Sequence, residues 1–95
     1  MEIEFTGEIW YWRGPAPFHF VTVPAEGSAA IRATSSQTSY GWGVIPATVH
    51  LAGATWTTSL FPKSGRYLVP IKDAVRKATG AGLGDTVTLQ ISVAN

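Results

Sequence analysis

This sequence predicts a mainly β domain: a closed or nearly closed barrel of six short strands with two short helices. Three observations point there. Apolar residues recur at every second position through residues 2–12, 45–51 and 86–93. Glycine-containing turns at 52–54 and 63–65 separate runs of strand length. Only residues 26–34 and 71–78 carry helical character, so the helices are few and short. Closure is expected because open edges in so small a sheet would invite pairing between molecules.

The first strand covers residues 2–12. Ile3, Phe5, Ile9 and Tyr11 fall on one face, with Glu2, Glu4, Thr6, Glu8, Trp10 and Trp12 on the other, so the outer face turns from acidic to aromatic. Gly7 stands where a core side chain belongs, which predicts a bulge or a close backbone approach. Pro15 and Pro17 remove ladder donors and mark a loop. A second strand, 19–23, ends at Pro24, and the alanine-rich stretch 26–34 around Ile31 reads as a helix weakened by Gly27. Residues 35–43 form a polar loop carrying Tyr40 and Trp42.

Strand three places Ile45, Ala47, Val49 and Leu51 inward, and strand four returns over 55–61. Strand five, 66–70, follows the turn at 63–65. Ile71, Ala74, Val75 and Ala78 then lie at i, i+3, i+4 and i+7, the inner face of a helix that Gly80 and Gly82 end. The last strand alternates Val87, Leu89, Ile91 and Val93 with Thr86, Thr88, Gln90 and Ser92.

Ninety-five residues make one domain, 1–95, with one modest core. With 45% hydrophobic and 14% charged residues it is a folded chain, and at 12% aromatic some rings must reach the surface. The absence of cysteine excludes a disulfide framework and a thiolate zinc site. No apolar run approaches a membrane span, and three glutamates in the first eight residues do not suit a signal peptide, so a cytoplasmic protein is expected. The formal net charge of +1 predicts neither nucleic acid nor an anionic membrane as partner.

No enzyme class draws support. The glycines at 80, 82 and 84 follow a helix and precede a strand, the reverse of a phosphate-binding dinucleotide loop. His19 and His50 sit singly among apolar neighbours, without the further ligands a metal needs. Ser59 and Ser64 lack a nucleophile elbow, and the N-terminal glutamates read as a solvated strand face. Neither a metal nor a cofactor is expected.

Charge is nonetheless uneven. Five of the seven basic residues, Lys63, Arg66, Lys72, Arg76 and Lys77, fall within fifteen positions, with Asp73 the only acid among them. Cations beside aromatic rings suit phosphate, carboxylate or a stacked base. The plainer reading is that the charges solvate the helix and complement its C-terminal dipole. The functional reading selects Tyr40, Trp42, Lys72 and Arg76, with Lys63 and Arg66, as a ligand-binding patch.

In order along nearly the whole chain stand Phe5–Gly7 as PheXGly, Phe20–Pro24 as PheValXValPro, and GlyTrpGlyValIlePro at 41–46. SerLeuPheProLys at 59–63, TyrLeuValProIleLysAspAlaValArgLys at 67–77 and GlyAspThrVal at 84–87 follow. This succession resembles a family of small prokaryotic domains known only as domain of unknown function nineteen-oh-five (DUF1905). The resemblance implies a double-split β-barrel, shared with AbrB-like and MazE-like transcription factors, whose helix and GlyAspXVal tail are similar to residues 71–87. Those relatives build the barrel from two shorter chains, whereas this chain is long enough to do so alone, as a monomer or weak homodimer. The family supplies no catalytic residues to carry over.

The resulting expectation is a non-enzymatic binding module for an anionic small molecule or an acidic protein segment. The alternative is nucleic-acid binding by analogy with the AbrB-like barrels, which the near-neutral charge disfavours.

Overall fold

A computed structural model describes residues 1–14, 18–35 and 44–93. Seven strands and two helices follow one another: β1 (Glu2–Glu8), β2 (Trp10–Trp12), β3 (Phe18–Thr22), α1 (Ala25–Ser35), β4 (Ile45–Leu51), β5 (Ala54–Lys63), β6 (Arg66–Ile71), α2 (Asp73–Thr79) and β7 (Thr86–Val93). All pairings are antiparallel, in the order β1-β7-β4-β5-β6-β3-β2, and the sheet curls into a half-barrel.

The expected six strands become seven because residues 2–12 divide at Ile9. Glu2–Glu8 pairs with β7, whereas Trp10–Trp12 pairs with β3. Between them Ile9 leaves both ladders: its N–H donates to the Asp85 carbonyl and its own carbonyl accepts the Gly84 N–H, each at 2.9 Å. Its fully buried side chain anchors the crossing. β5 makes a similar transfer, pairing with β4 up to Leu60 and with β6 from Phe61 onward. The first and last strands of the order are thus consecutive in the chain.

Gly7 shows why the curl needs a glycine. A Cβ there would lie 2.8 Å from Val21 Cγ1, inside van der Waals contact, so β1 can approach β3 only without a side chain. Both tight hairpins have two-residue loops, Ala52–Gly53 and Ser64–Gly65, with positive φ at all four residues as a type I′ turn requires.

Ile45, Val49, Leu60, Leu89 and Ile91 of the strands and Val75 of α2 meet in the core as expected, with Val93 buried and Val87 partly buried beside them. Helix α1 closes one side through Ile31 and Ser28. The buried Ser28 hydroxyl donates to the Val23 carbonyl and accepts the Tyr67 N–H, bridging β3 and β6 where their ladder ends. Helix α2 is shorter than the pattern suggests. Ile71 belongs to β6, Lys72 is the extended N-cap, and Ala74 and Ala78 are exposed, leaving Val75 as its buried residue. Two turns of helix have only enough inner surface for one core contact. Gly80 ends it in the left-handed conformation, its N–H donating to the Arg76 carbonyl.

Candidate functional site

After the break at Ile9, the outer face of the β2-β3-β6-β5 sheet collects aromatic rings. Trp10 stands opposite Phe20, and Trp12 opposite Phe18. Partners directly across an antiparallel pair share a face, and these side chains point away from the core. Phe61 and Leu68, paired across β5 and β6, complete the layer. Phe20 and Leu68 are buried yet stand outside the main core cluster, which marks a second, smaller apolar layer.

Phe20 is its hub. Its ring centre lies 5.4 Å from Trp10, 6.3 Å from Trp12, 5.7 Å from Phe18 and 6.5 Å from Phe61, the last edge-on. Such tilted contacts favour a fixed arrangement. Trp10 is further oriented by its indole N–H, which donates to Thr22 Oγ1 at 3.0 Å. The outer rings remain open to solvent: Trp12 is 45% exposed, Phe18 38% and Phe61 43%. These large side chains, half in water on a braced surface, form one contiguous apolar layer.

Cations rim this layer. The Lys63 ammonium lies 5.7 Å from the Trp10 ring centre and 5.2 Å from that of Trp12, close enough for attraction to both π-faces. Lys63 and Arg66 are cross-strand partners flanking the Ser64–Gly65 turn. Like charges directly opposite destabilise a sheet, and among the described residues no carboxylate pairs with either. Two cavities meet here. One, of about 480 Å³, is lined by Trp12, Phe20, Phe61, Pro62, Lys63 and Leu68. The other, of about 380 Å³, is lined by Trp10, Thr22, Lys63, Ser64, Arg66 and Leu68. The first is aromatic and apolar, the second mixed, more polar and cationic, and Lys63 with Leu68 forms their common wall.

The sequence-predicted residues divide. Lys63 and Arg66 belong to this face. Lys72 and Arg76 do not join them. The Lys72 ammonium donates to the Thr57 carbonyl at 3.1 Å, and Arg76 pairs with Asp73 at 3.2 Å within α2. Thr57 precedes Lys63 by six residues on β5, which at about 3.3 Å per residue is a separation of about 20 Å. The cluster is therefore two groups, one at each end of the β5–β6 pair. Tyr40 and Trp42 lie outside the described residues.

Trp10, Trp12, Phe18 and Phe20 were not among the predicted site residues, although the signal was present. The aromatic turn of the first strand's outer face, and Phe18 and Phe20 two positions apart, each place rings on one face. Only the pairing of β2 with β3 shows that it is the same face.

On the inner face of the same strand pair, Tyr11 falls across from His19, their ring centres 4.6 Å apart. Tyr11 keeps the inner-facing side expected of it but is 38% exposed, because β2 is the edge strand and the core does not extend beneath it. His19 has its pKa lowered from the usual 6.5 by burial and by the nearby Arg76 charge, with Asp73 acting in the opposite direction. Among the described residues no three His, Cys, Asp or Glu side chains gather to hold a metal, and no helix is long and apolar enough to cross a membrane.

The chain belongs to the family Domain of unknown function (DUF1905), whose model matches residues 5–91. No curated protein matches it significantly.

Proposed function

We propose that this domain is a non-enzymatic binding module on a double-split barrel, and that its ligand combines an anionic group with a flat apolar one. The supporting observation is the pair of adjoining cavities that share Lys63. A phosphate or carboxylate in the polar cavity would meet Lys63, Arg66 and the Ser64 hydroxyl, while a planar group attached to it would pass the ammonium into the cavity lined by Trp12, Phe20 and Phe61. Desolvation by the rings strengthens the cations' attraction for the anion. An acidic protein segment would use the same cations but leave the aromatic cavity empty, so the small planar anion is the better match.

Trp10 and Trp12 report on the site directly. Titration with phenyl phosphate, inorganic phosphate and phenol, followed by tryptophan fluorescence, tests the reading. Phenyl phosphate should bind about tenfold or more tightly than either half alone, the equivalent of about 1.4 kcal/mol from joining two contacts. Equal affinity for phenyl phosphate and inorganic phosphate, or no response to any of the three, would overturn it.

A further inference from the structure

We infer that the ligand of this face is single-stranded nucleic acid, with bases stacked on the outer rings and phosphates on Lys63 and Arg66. The inference rests on the reading above and extends it from a planar anion to a polymer of planar anions.

The extent of the ring layer carries the argument. A single small ligand needs one cavity, yet exposed rings continue past it. Phe18 on β3 lies outside both cavity linings but is braced by the same Phe20 hub as Trp12 and Phe61. From β2 to β5 the layer crosses three inter-strand steps of about 4.8 Å, or about 14 Å. A sheet face of such width, studded with rings, is suited to stacking two or three successive bases of a strand. The rings are already held in place, so little ordering is needed when a base arrives.

Charge sets the type of nucleic acid. Duplex binding depends on many phosphate contacts, and this face offers Lys63 and Arg66 on a molecule of net charge +1. That is too little for a duplex, whose bases are stacked on one another and hidden from the rings. A single strand exposes every base face, so stacking supplies most of the affinity and two phosphate contacts suffice to hold the strand in register. Polar groups for reading base edges are few. The Thr22 hydroxyl accepts from Trp10 and keeps its own O–H to donate, and Ser64 supplies the other hydroxyl among the cavity residues. Binding should accordingly tolerate sequence.

The test is fluorescence anisotropy of a fluorescein-labelled twelve-nucleotide oligothymidylate, competed with unlabelled duplex of equal length and with thymidine monophosphate. The oligonucleotide should bind at least about tenfold more tightly than either competitor. Log K should fall with log salt at a slope of about −1.4, the value for two phosphates on a single strand. Phe61→Ala, confirmed folded by circular dichroism, should weaken binding by about five- to 150-fold, the loss of one stacking contact. Lys63→Gln and Arg66→Gln should each reduce the salt slope by about half, and Lys77→Gln on α2 should change nothing. Thymidine monophosphate or duplex binding as tightly as the oligonucleotide would overturn the inference. So would an oligonucleotide that does not bind while phenyl phosphate does, an outcome that leaves the planar-anion reading standing. Failure of both ligands would remove both.

Discussion

Replacing Gly7 with alanine isolates the contact that lets β1 and β2 serve two ladders. The added Cβ would sit 2.8 Å from Val21 Cγ1, with the Thr22 carbonyl at 3.6 Å and Phe5 Cε2 at 3.8 Å on other sides. Val21 is fully buried and β-branched, so its methyl cannot rotate away cheaply. Overpacking of this kind costs about 1–3 kcal/mol, while loss of glycine's freedom in the unfolded chain returns about 0.4–1 kcal/mol. The φ of Gly7 is not in the left-handed region, so no backbone strain is added. A net destabilisation of about 1–2 kcal/mol follows, and each kcal/mol lowers Tm by about 4–8 °C in a domain of this size. Val21→Ala alone should be destabilising through lost burial of two methyl groups, about 0.8 kcal/mol each before any cavity cost. The double variant should be less destabilised than the sum, by about 1–2 kcal/mol, because each change makes room for the other. Urea unfolding of the four proteins measures this. Additivity within about 0.5 kcal/mol, or a stabilised Gly7→Ala, would refute the close approach of β1 to β3.

Three further outcomes are expected. Leu89→Ala, at a fully buried position in the middle of β7, should cost about 2–5 kcal/mol, and an unchanged urea midpoint would mean the register is wrong. Ala52→Asn should raise stability by a few tenths of a kcal/mol up to about 1 kcal/mol, because asparagine tolerates the left-handed φ of 47° better than alanine; a fall in Tm would count against the type I′ assignment. His19 should titrate below 6.5 by NMR, and Arg76→Gln should raise its midpoint by removing a repelling charge. A lowered folded pKa means the unfolded chain binds the proton first, so the His19 contribution is present above pH 6.5 and is lost as pH falls from there through the folded pKa. A midpoint that Arg76→Gln leaves in place would remove Arg76 from the account.

Alternation is enough to read the core positions of β4 and β7. Leu89, Ile91, Val49 and Ile45 each follow a period of two that only a half-buried strand explains, and the I′ turns announce themselves through glycine. The break at Ile9 was not legible, since nothing in the local pattern distinguishes a strand that continues from one that changes partner. That choice depends on hydrogen bonds from Gly84 and to Asp85, some 75 residues away in sequence. The basic cluster divides for a similar reason. Lys63, Arg66, Lys72 and Arg76 are close in sequence, but an extended strand between them carries the two pairs apart. The rings that do accompany Lys63 come from β2 and β3, about fifty residues earlier in the chain. Long-range pairing, which composition and periodicity do not encode, assembles this face.

We propose that the outer face of β2-β3-β6-β5, and not the α2 end, binds the ligand. Amide and indole NMR shifts during titration with phenyl phosphate test it most directly. The Trp10 and Trp12 indoles and Phe18, Phe61, Lys63, Ser64 and Arg66 should be perturbed, with Lys72–Lys77 unmoved. Shifts centred on Lys72 and Arg76, or spread evenly over every basic residue, would contradict it.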